Sequence, residues 1–566
     1  MKTSNINYFF SVSSEYRFDV EETISKLLLL ENLLKLGKLK EREKTTAYDD
    51  VRFLFDHYKK IVPNGFDFNS KSSEESERIY ADFKLKLLQE QDSASDDLEE
   101  ELITIFNKNR NFNFFLFNEF TVVKTLVHWI KGKNTKGTAY CPFNNIINAE
   151  AELSKDEISV DAPIFGDNCE FLIKALIYML IGNVNKVNNY FTSFEELINT
   201  PVSQREFSEY DFGFSCLPIA YKVGPAKLNV EDIYVEDMLD RVKGRFAVIV
   251  PMRLSISSIR QDLELREKIS ESGRLKAVVS LPAGFLVGTA IYTQALVFDS
   301  VDATKHESIS FLDLRDKEYI EVGKSGRKLV NLNLKAKTEL EKILDDEVCN
   351  SSIKVALSEI KNNENSFDIG RYIAARESAK SLEGIETVNL EEVTDIYRAQ
   401  ASVKDSDGDK YFEISASDIN PLGIIETPKK EIVLKKDNRA LKSLVHKGDI
   451  VLAIKGAAGK VGIVENEHDN WLAGQSFVIL RLKDKAWTPE LLFWQLNSKR
   501  IKKQLGLLST GGFIQLLKIS DVKGLKLIPP TKEILQKVHD ANLRRTEILQ
   551  KIKDLQAELA SLDEII

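Results

Sequence analysis

The chain has 566 residues, 43% of them hydrophobic and 29% charged, and a formal net charge of −9, the composition of a globular protein of three or four domains at ~150 residues each. The acidic balance argues against a uniformly basic nucleic-acid binder, but a local patch suffices for DNA, and residues 384–530 hold 22 Lys/Arg against 19 Asp/Glu. The four cysteines, Cys141, Cys169, Cys216 and Cys349, form no CxxC pair, so neither a disulfide framework nor a zinc site is expected and no metal is assigned. No stretch of ~18 apolar residues predicts a membrane span. Met1-Lys-Thr-Ser-Asn-Ile-Asn-Tyr8 has no apolar signal region, and a reducing cytoplasm is the expected compartment.

Residues 1–110 read as helical. Val20–Lys44 carries Leu27, Leu28, Leu30, Leu33 and Leu34, and Tyr48–Ile61 repeats the pattern with Val51, Phe53, Leu54 and Tyr58. Asn64–Glu77 is a polar break and Asp92–Glu101 an acidic, solvated stretch. A helical cap on the next domain is the expectation, with no site in it. From 111 to 300 the pattern alternates. Phe120–Ile130, Leu172–Ile181 and Asp232–Arg241 are helices; Thr138–Tyr140, Ala162–Phe165, Phe212–Phe214, Phe246–Val250, Leu275–Leu281 and Ala295–Asp299 are strands. Such alternation predicts a doubly wound α/β sheet, with any ligand beyond the strand carboxyl ends.

Lys243-Gly-Arg-Phe-Ala-Val-Ile-Val-Pro251, Glu264–Ser272, Leu275–Phe285, Gly288–Thr293 and Ala295–Phe298 follow in order, continued by Ile309–Arg315 and Ser366–Tyr372. Together they resemble the methyltransferase (M) subunits of type I restriction-modification systems over roughly 105–373. The resemblance implies a Rossmann-like methyltransferase-fold sheet over 111–375, preceded by a helical domain over 1–110. It also implies an S-adenosylmethionine loop of the form Asp-Pro-x-x-Gly-x-Gly and a catalytic Asn/Asp-Pro-Pro-Tyr/Phe.

Both loops depart from that pattern. The first reads Cys141-Pro-Phe-Asn-Asn-Ile-Ile147: Cys141 replaces the acid and keeps Pro142 beside it, while Asn145 and Ile147 stand where glycines would let the backbone approach the cofactor. A β-branched Ile suits such a turn poorly. The ribose-binding acid falls at Asn168, or at Asp167 after a one-residue slip. The second loop ends Glu209–Ile219 and reads Cys216-Leu217-Pro218-Ile219. A flipped adenine needs an acceptor for its N6 amino group and an aromatic ring to stack on; Cys216 accepts weakly and Ile219 cannot stack. Cys216 reads as a buried core thiol, with no base nearby to activate it. The expectation is a degenerate methyltransferase domain with no catalytic and no cofactor-binding residue, and no cofactor.

Lys324-Ser-Gly-Arg327 is a loop, Leu334–Leu344 a helix and Lys361–Ser366 a boundary. Lys447–Val464 then reads as strand, glycine turn and strand. Ala473–Arg481 is a strand and Pro489–Ser498 a helix. Leu508–Phe513 is a loop, and Leu525–Pro530 closes the unit. In this order the series resembles one α+β target-recognition domain of type I specificity (S) subunits over 384–530. The turn Gly456–Lys460 has the wrong spacing for a phosphate loop, and a hairpin accounts for its glycines. Lys429, Lys430, Lys435, Lys436, Arg439 and Lys442 form one basic cluster, and Lys499, Arg500, Lys502 and Lys503 another. A charge run is commonly just a solvated face; within a resembling recognition domain both clusters become candidates for phosphate contact. Gln400, Lys404, Lys455, Gln475, Ser509 and Thr510 are candidates for reading bases.

In 531–566, Ile548, Ile552, Leu555, Leu559, Leu562 and Ile566 repeat at four-then-three spacing, extended by Ile534, Val538 and Ala541 and interrupted by Arg545. That is a coiled-coil seam, for a homodimer or a hetero-complex; packing back on the body is the alternative. The expected protein recognises double-stranded DNA within a bacterial restriction-modification-like or phage-defence system, with an effector or nuclease as partner. Two other readings stay open: an active S-adenosylmethionine-dependent adenine-N6 methyltransferase with atypical loops, and an assembly scaffold that binds no DNA.

Overall fold

In the computed structural model the chain forms two compact units, Met1–Ile369 and Gly370–Ile566. The structure describes residues 1, 3–15, 19–60, 73–92, 120–164, 168–199, 204, 209–219, 221–286, 291–322, 330–347, 349, 351–402, 405, 407–436, 438–509 and 515–563. The polar break and acidic stretch of 64–72 and 93–101, Asp167, Gly288, the loop 324–327, Lys404 and Thr510 lie outside them.

The first unit opens with four helices, α1 (Thr3–Glu15), α2 (Val20–Lys35), α3 (Ala47–His57) and α4 (Glu74–Gln89). Side-chain caps start three of them: Asp19 accepts from Glu21 N, Ser73 from Ser76 N, and Thr46 and Asp49 form a reciprocal box, each satisfying amides that a helix start leaves open. The leucine pattern predicts one apolar face on α2, yet Ile24, Leu27 to Leu30 and Leu33 are all buried. The helix is enclosed on most sides. Lys26 on it is paired with Glu22 at 2.9 Å and Glu77 at 3.1 Å. Nearby, Asp50 receives Lys84, Arg42 Nε (2.5 Å) and Tyr80 Oη (2.9 Å).

The sheet strands are β1 (Lys136–Tyr140), β2 (Glu157–Ile164), β3 (Val187–Phe191), β4 (Phe212–Cys216), β5 (Phe246–Pro251), β6 (Leu275–Leu281), β7 (Thr293–Phe298), β8 (Ser308–Asp313) and β9 (Ser352–Ala356). They make one large, mixed, Rossmann-like nine-stranded sheet in the order β9-β8-β6-β7-β5-β4-β1-β2-β3. β7 and β9 run against the rest. Strands β4 to β7 are buried throughout, which is why they read as continuous apolar runs rather than alternating ones. The helices between them include α5 (Phe120–Lys131), α6 (Ile147–Ser154), α7 (Asn168–Ile181), α8 (Phe194–Asn199), α9 (Val230–Arg241), α10 (Arg253–Ile256), α11 (Arg260–Ser272) and α12 (Leu334–Leu344). One buried cluster runs from α1–α4 through α7 to the sheet. Asn32 Nδ2 donates to Leu176 O (3.2 Å), and Lys35 Nζ to Met179 O (3.0 Å) and Leu180 O (2.6 Å), placing a cation on the carboxyl end of α7. The order reverses between β1 and β4, so the crevice at their carboxyl ends is the topological switch point.

In the second unit, β10 (Thr394–Arg398), β17 (Phe477–Leu482), β13 (Ile450–Ala453) and β15 (Val461–Ile463) form an antiparallel sheet in that spatial order. Ile450 and Leu452 enter one apolar cluster, and Val451 and Ala453 the other. Both faces are covered, and the period of two sorts side chains between them. β12 (Lys430–Leu434), β11 (Asp409–Ile414) and β16 (Trp471–Ala473) form a second sheet. A short ribbon joins β14 (Lys455–Gly456) to β18 (Gln515–Leu516). Gly456 and Gly459 hold φ of 78° and 84°, so the glycines serve the turn between β13 and β15, as the hairpin reading expects.

Helices of the unit include α13 (Pro489–Asn497), α14 (Lys499–Leu508) and α15 (Lys532–Asp563). α15 is one long helix with two surroundings. Ile534, Leu535 and Val538 pack on the unit's own apolar cluster. Arg545 lies 5.0 Å over the Phe493 ring and 3.0 Å from Glu465, so the residue that breaks the apolar stripe adds to that packing. Farther on, Ile548 is 43% and Leu555 64% exposed. Among the described residues no helix is long and apolar enough to cross a membrane.

Candidate functional site

The loop leaving β1 extends the pairing with β2 before it turns: Cys141 N donates to Asp161 O and Phe143 N to Pro163 O, both at 2.9 Å. The left-handed residue of the loop is Phe143, with φ of 48°. Ile147 already stands in the first turn of α6, so the β-branched residue expected in the turn is helical and unstrained.

Asn144 then ties the loop down. Its Oδ1 accepts from Cys216 N (2.9 Å) and Ile146 N (3.1 Å), and its Nδ2 donates to Ile146 O (2.9 Å) and Glu150 Oε1 (3.0 Å). Asn145 N donates to Cys216 O (3.0 Å), and Ser215 Oγ to Pro142 O (2.8 Å). The two loops that resemble cofactor and catalytic loops are thus bonded to each other across β1 and β4. Beneath them, Lys174 Nζ donates to Asn144 O (3.1 Å) and stands 4.0 Å from Glu150 and 3.7 Å from Glu170. Tyr178 Oη donates to Glu150. Burial raises the Glu150 carboxyl above its ordinary range.

Above the loop the crevice carries rings. Phe143 meets Phe194 edge-on at 4.7 Å between centroids and Tyr234 at 5.1 Å. Tyr234 Oη donates to Phe194 O at 2.6 Å, and Tyr221 lies 5.8 Å from Phe194. Phe143, Phe194 and Tyr234 are 2%, 3% and 0% exposed. Phe143 follows β1, Phe194 opens α8 just beyond β3, and Tyr234 stands on α9.

The sequence-predicted residues fall as follows. Cys141, Pro142, Asn145 and Ile147 are all buried around the loop, and Asn168 opens α7. Cys216 is the last residue of β4, two residues beyond the expected strand end, followed by buried Leu217 and Pro218 and half-buried Ile219. Burial raises both the Cys141 and Cys216 thiols, with Glu150 adding to the effect at Cys141, so both are neutral. Phe143, Asn144, Lys174, Phe194 and Tyr234 were not singled out by sequence. The first two lie inside the degenerate loop and were passed over for the glycine positions; the others come from distant segments.

A second ionisable cluster stands at the carboxyl end of β5. Arg253 contacts Asp232 (2.6 Å), Glu231 (3.3 Å) and Asp262. These three carboxylates are at most 2% exposed. Burial, followed by a hydrogen bond shared with Asp262, raises Asp232 to about 7. Among the described residues no group of His, Cys, Asp and Glu is arranged to hold a metal.

In the second unit, Lys430 pairs with Glu413 (2.7 Å), Lys435 with Asp407 (3.0 Å) and Lys503 with Glu377 (2.7 Å). Lys429, Lys436, Arg439, Lys442, Lys455, Lys499 and Lys502 are exposed. Arg500 is half-buried, which lowers its guanidinium pKa. Ser509 caps α14; Gln400 and Gln475 are exposed. The first basic cluster runs from Lys429, just before β12, through β12 to the segment after it, and the second lies on α14.

Among known families, "N-6 DNA Methylase" matches residues 220–381 and "Type I restriction modification DNA specificity domain" matches residues 382–559. No curated protein matches the chain. Similar solved structures include the type I restriction-modification methyltransferase subunit from Streptococcus thermophilus, with 13% identity, TM-score 0.46, and 64% of this chain and 83% of that one covered. The type IIG restriction endonuclease BpuSI gives 12% identity, TM-score 0.44, and coverage of 92% and 71%. The type I S subunit from M. genitalium gives 18% identity, TM-score 0.23, and coverage of 31% and 43%. The chain is a fusion of an N6-adenine methyltransferase-like domain and a type I specificity-subunit-like domain, matching the architecture of type I restriction-modification systems.

Proposed function

We propose that the chain is a DNA-recognition component of a restriction-modification or phage-defence assembly, and that its methyltransferase fold is a scaffold without methylase activity. The two family matches support the restriction-modification role. The observation that supports the loss of activity is the ring packing of Phe143, Phe194 and Tyr234 beyond the β1 loop. Asn144 bonds the loop beneath them to Cys216 N.

The residues present do not fit S-adenosylmethionine. A nucleoside cofactor needs open volume at this crevice and backbone it can approach closely; the loop instead offers a buried phenylalanine and isoleucines packed in the core. Nor do they fit the reaction. Methylation at adenine N6 needs an acceptor for the amino group and a ring stacked on the base. At the end of β4 stand a neutral buried thiol and the aliphatic Ile219.

The remaining function is assigned to residues 384–530, read as a target-recognition domain. Its candidate phosphate contacts are Lys429, Lys430, Lys435, Lys436, Arg439, Lys442, Lys499, Arg500, Lys502 and Lys503, and Lys455, Ser509 and Thr510 are among its candidates for reading bases. The exposed apolar residues of α15 beyond Arg545 support pairing with a second copy or a partner helix.

Titration calorimetry with S-adenosylmethionine, beside methyl-label transfer to duplex DNA of mixed sequence, tests this reading. The expected result is no heat of binding and no label, with duplex binding that weakens as salt rises. Micromolar cofactor affinity, or label on adenine, would return the chain to the active methyltransferases. Absence of duplex binding at low salt would remove the DNA assignment.

A further inference from the structure

We infer that α14 is the helix that enters the major groove, with Gln504 and Arg500 reading base edges. The inference rests on the DNA-recognition reading above and names the residues that carry out the recognition.

α14 is anchored by Ile501, Leu505 and Leu508, which are buried in the apolar cluster. Opposite them, Lys499, Lys502, Lys503 and Gly506 recur at i, i+3, i+4 and i+7, and all four are exposed. No acidic residue stands in the first turn. Cations at a helix start oppose the helix dipole, so the arrangement weakens the isolated helix and is relieved by an anion. Lys503 does reach Glu377, but the pair is exposed and such pairs hold weakly. Gly506 is the complementary oddity. Glycine weakens a helix interior, and nothing lies within 4 Å of where its Cβ would stand. Packing against the chain does not call for it; close approach by a ligand does.

Beside this face lie Arg500 and Gln504, one turn apart on the same side of the helix. Arg500 Nη1 and Gln504 Oε1 are both buried and without a hydrogen-bond partner. Buried polar groups are nearly always paired, so two on one helical turn point to a ligand. The types decide which ligand. A phosphate offers acceptors alone and satisfies Arg500, but it leaves Gln504 Oε1 unmet. A base edge offers both: guanine O6 and N7 accept from an arginine, and adenine N6 donates to a glutamine oxygen while N7 accepts from its amide. Turning the two groups onto bases breaks no bond recorded for either atom. The helix is 10 residues long, ~15 Å, and an α-helix fits the major groove. The first basic cluster shows no comparable open acceptor; it fits the role of positioning.

The test uses the full chain, a randomised duplex library and sequencing of the bound fraction. Wild type is compared with Gln504→Ala, Gln504→Glu, Arg500→Ala, the pair Lys499→Ala/Lys502→Ala, and Lys436→Ala/Arg439→Ala. Wild type should enrich a motif containing adenine and guanine. Gln504→Ala should relax one position by about tenfold, and Gln504→Glu should move that position from adenine toward cytosine, whose N4 donates to a carboxylate. That swap is an outcome that mere loss of folding does not produce. Arg500→Ala should relax a guanine position. Lys499→Ala/Lys502→Ala should weaken all sequences alike and shallow the salt slope by about 2; Lys436→Ala/Arg439→Ala should weaken binding without changing the motif. An unchanged motif in all the Gln504 and Arg500 variants overturns the inference while leaving DNA recognition standing. A wild-type chain that binds no duplex overturns both.

Discussion

Asn144 is the side chain on which the switch point depends. It fills all its hydrogen-bonding capacity within the two loops and their helix. Asn144→Ala leaves Cys216 N and Ile146 N without their acceptor and removes a donor from Glu150. A buried polar group left unpaired costs ~1–3 kcal/mol, so a loss of about 2–4 kcal/mol for the network is expected, read as a lower denaturant midpoint at unchanged slope. Asp232 gives a pH-dependent counterpart. Its folded pKa is raised to about 7 from 3.8, so its contribution to stability is full below pH ~4 and is lost as pH rises through 7. Asp232→Asn removes that titration while keeping an acceptor for Arg253. The variant should gain on wild type by about 1 kcal/mol or more between pH 5.5 and 8; denaturant midpoints at the two pH values check it, and an equal difference at both would refute the assignment. Neither residue was legible in the sequence. Asn144 sits among residues marked by what they lack, and Asp232, Asp262 and Arg253 meet through the return of separate helices to one strand end.

At the scale of elements, the strands were legible because burial on both faces leaves apolar runs in the sequence. β4 was read two residues short: Ser215 and Cys216 look like loop, but their backbone is held by β5 and by Asn144. β3 and β9 were missed because Asn188 and Asn189, and Ser352 and Lys354, make them polar, as sheet edges often are. The seam of α15 shows the opposite case, where a periodic pattern has two origins. Its first part faces the unit's own core, whereas Ile548 and Leu555 farther on are exposed. The two roles separate by mutation. Arg545→Ala removes a cation–π contact and an ion pair and should cost ~1 kcal/mol of the second unit's stability. Leu555→Asp should leave that stability unchanged and weaken self-association about tenfold or more in sedimentation equilibrium. A monomeric wild type would assign the stripe to a different protein instead.

At the scale of the whole molecule, both units carry apolar clusters among the described residues, including one within residues 1–349 and others within 374–527. Two cores in one long chain break the assumption of a single cooperative transition, and scanning calorimetry should resolve two. Ligands then report where they bind, since a ligand of the folded state stabilises it by RT ln(1 + [L]/Kd). At a hundredfold excess over Kd that is ~2.7 kcal/mol, worth ~5–11 °C for a unit of some 200 residues at ~2–4 °C per kcal/mol. Duplex DNA at low salt should therefore raise the transition of the second unit and leave the other in place. On the scaffold reading proposed above, S-adenosylmethionine at millimolar concentration should move neither. A cofactor-dependent rise in the first unit's transition would overturn the scaffold reading.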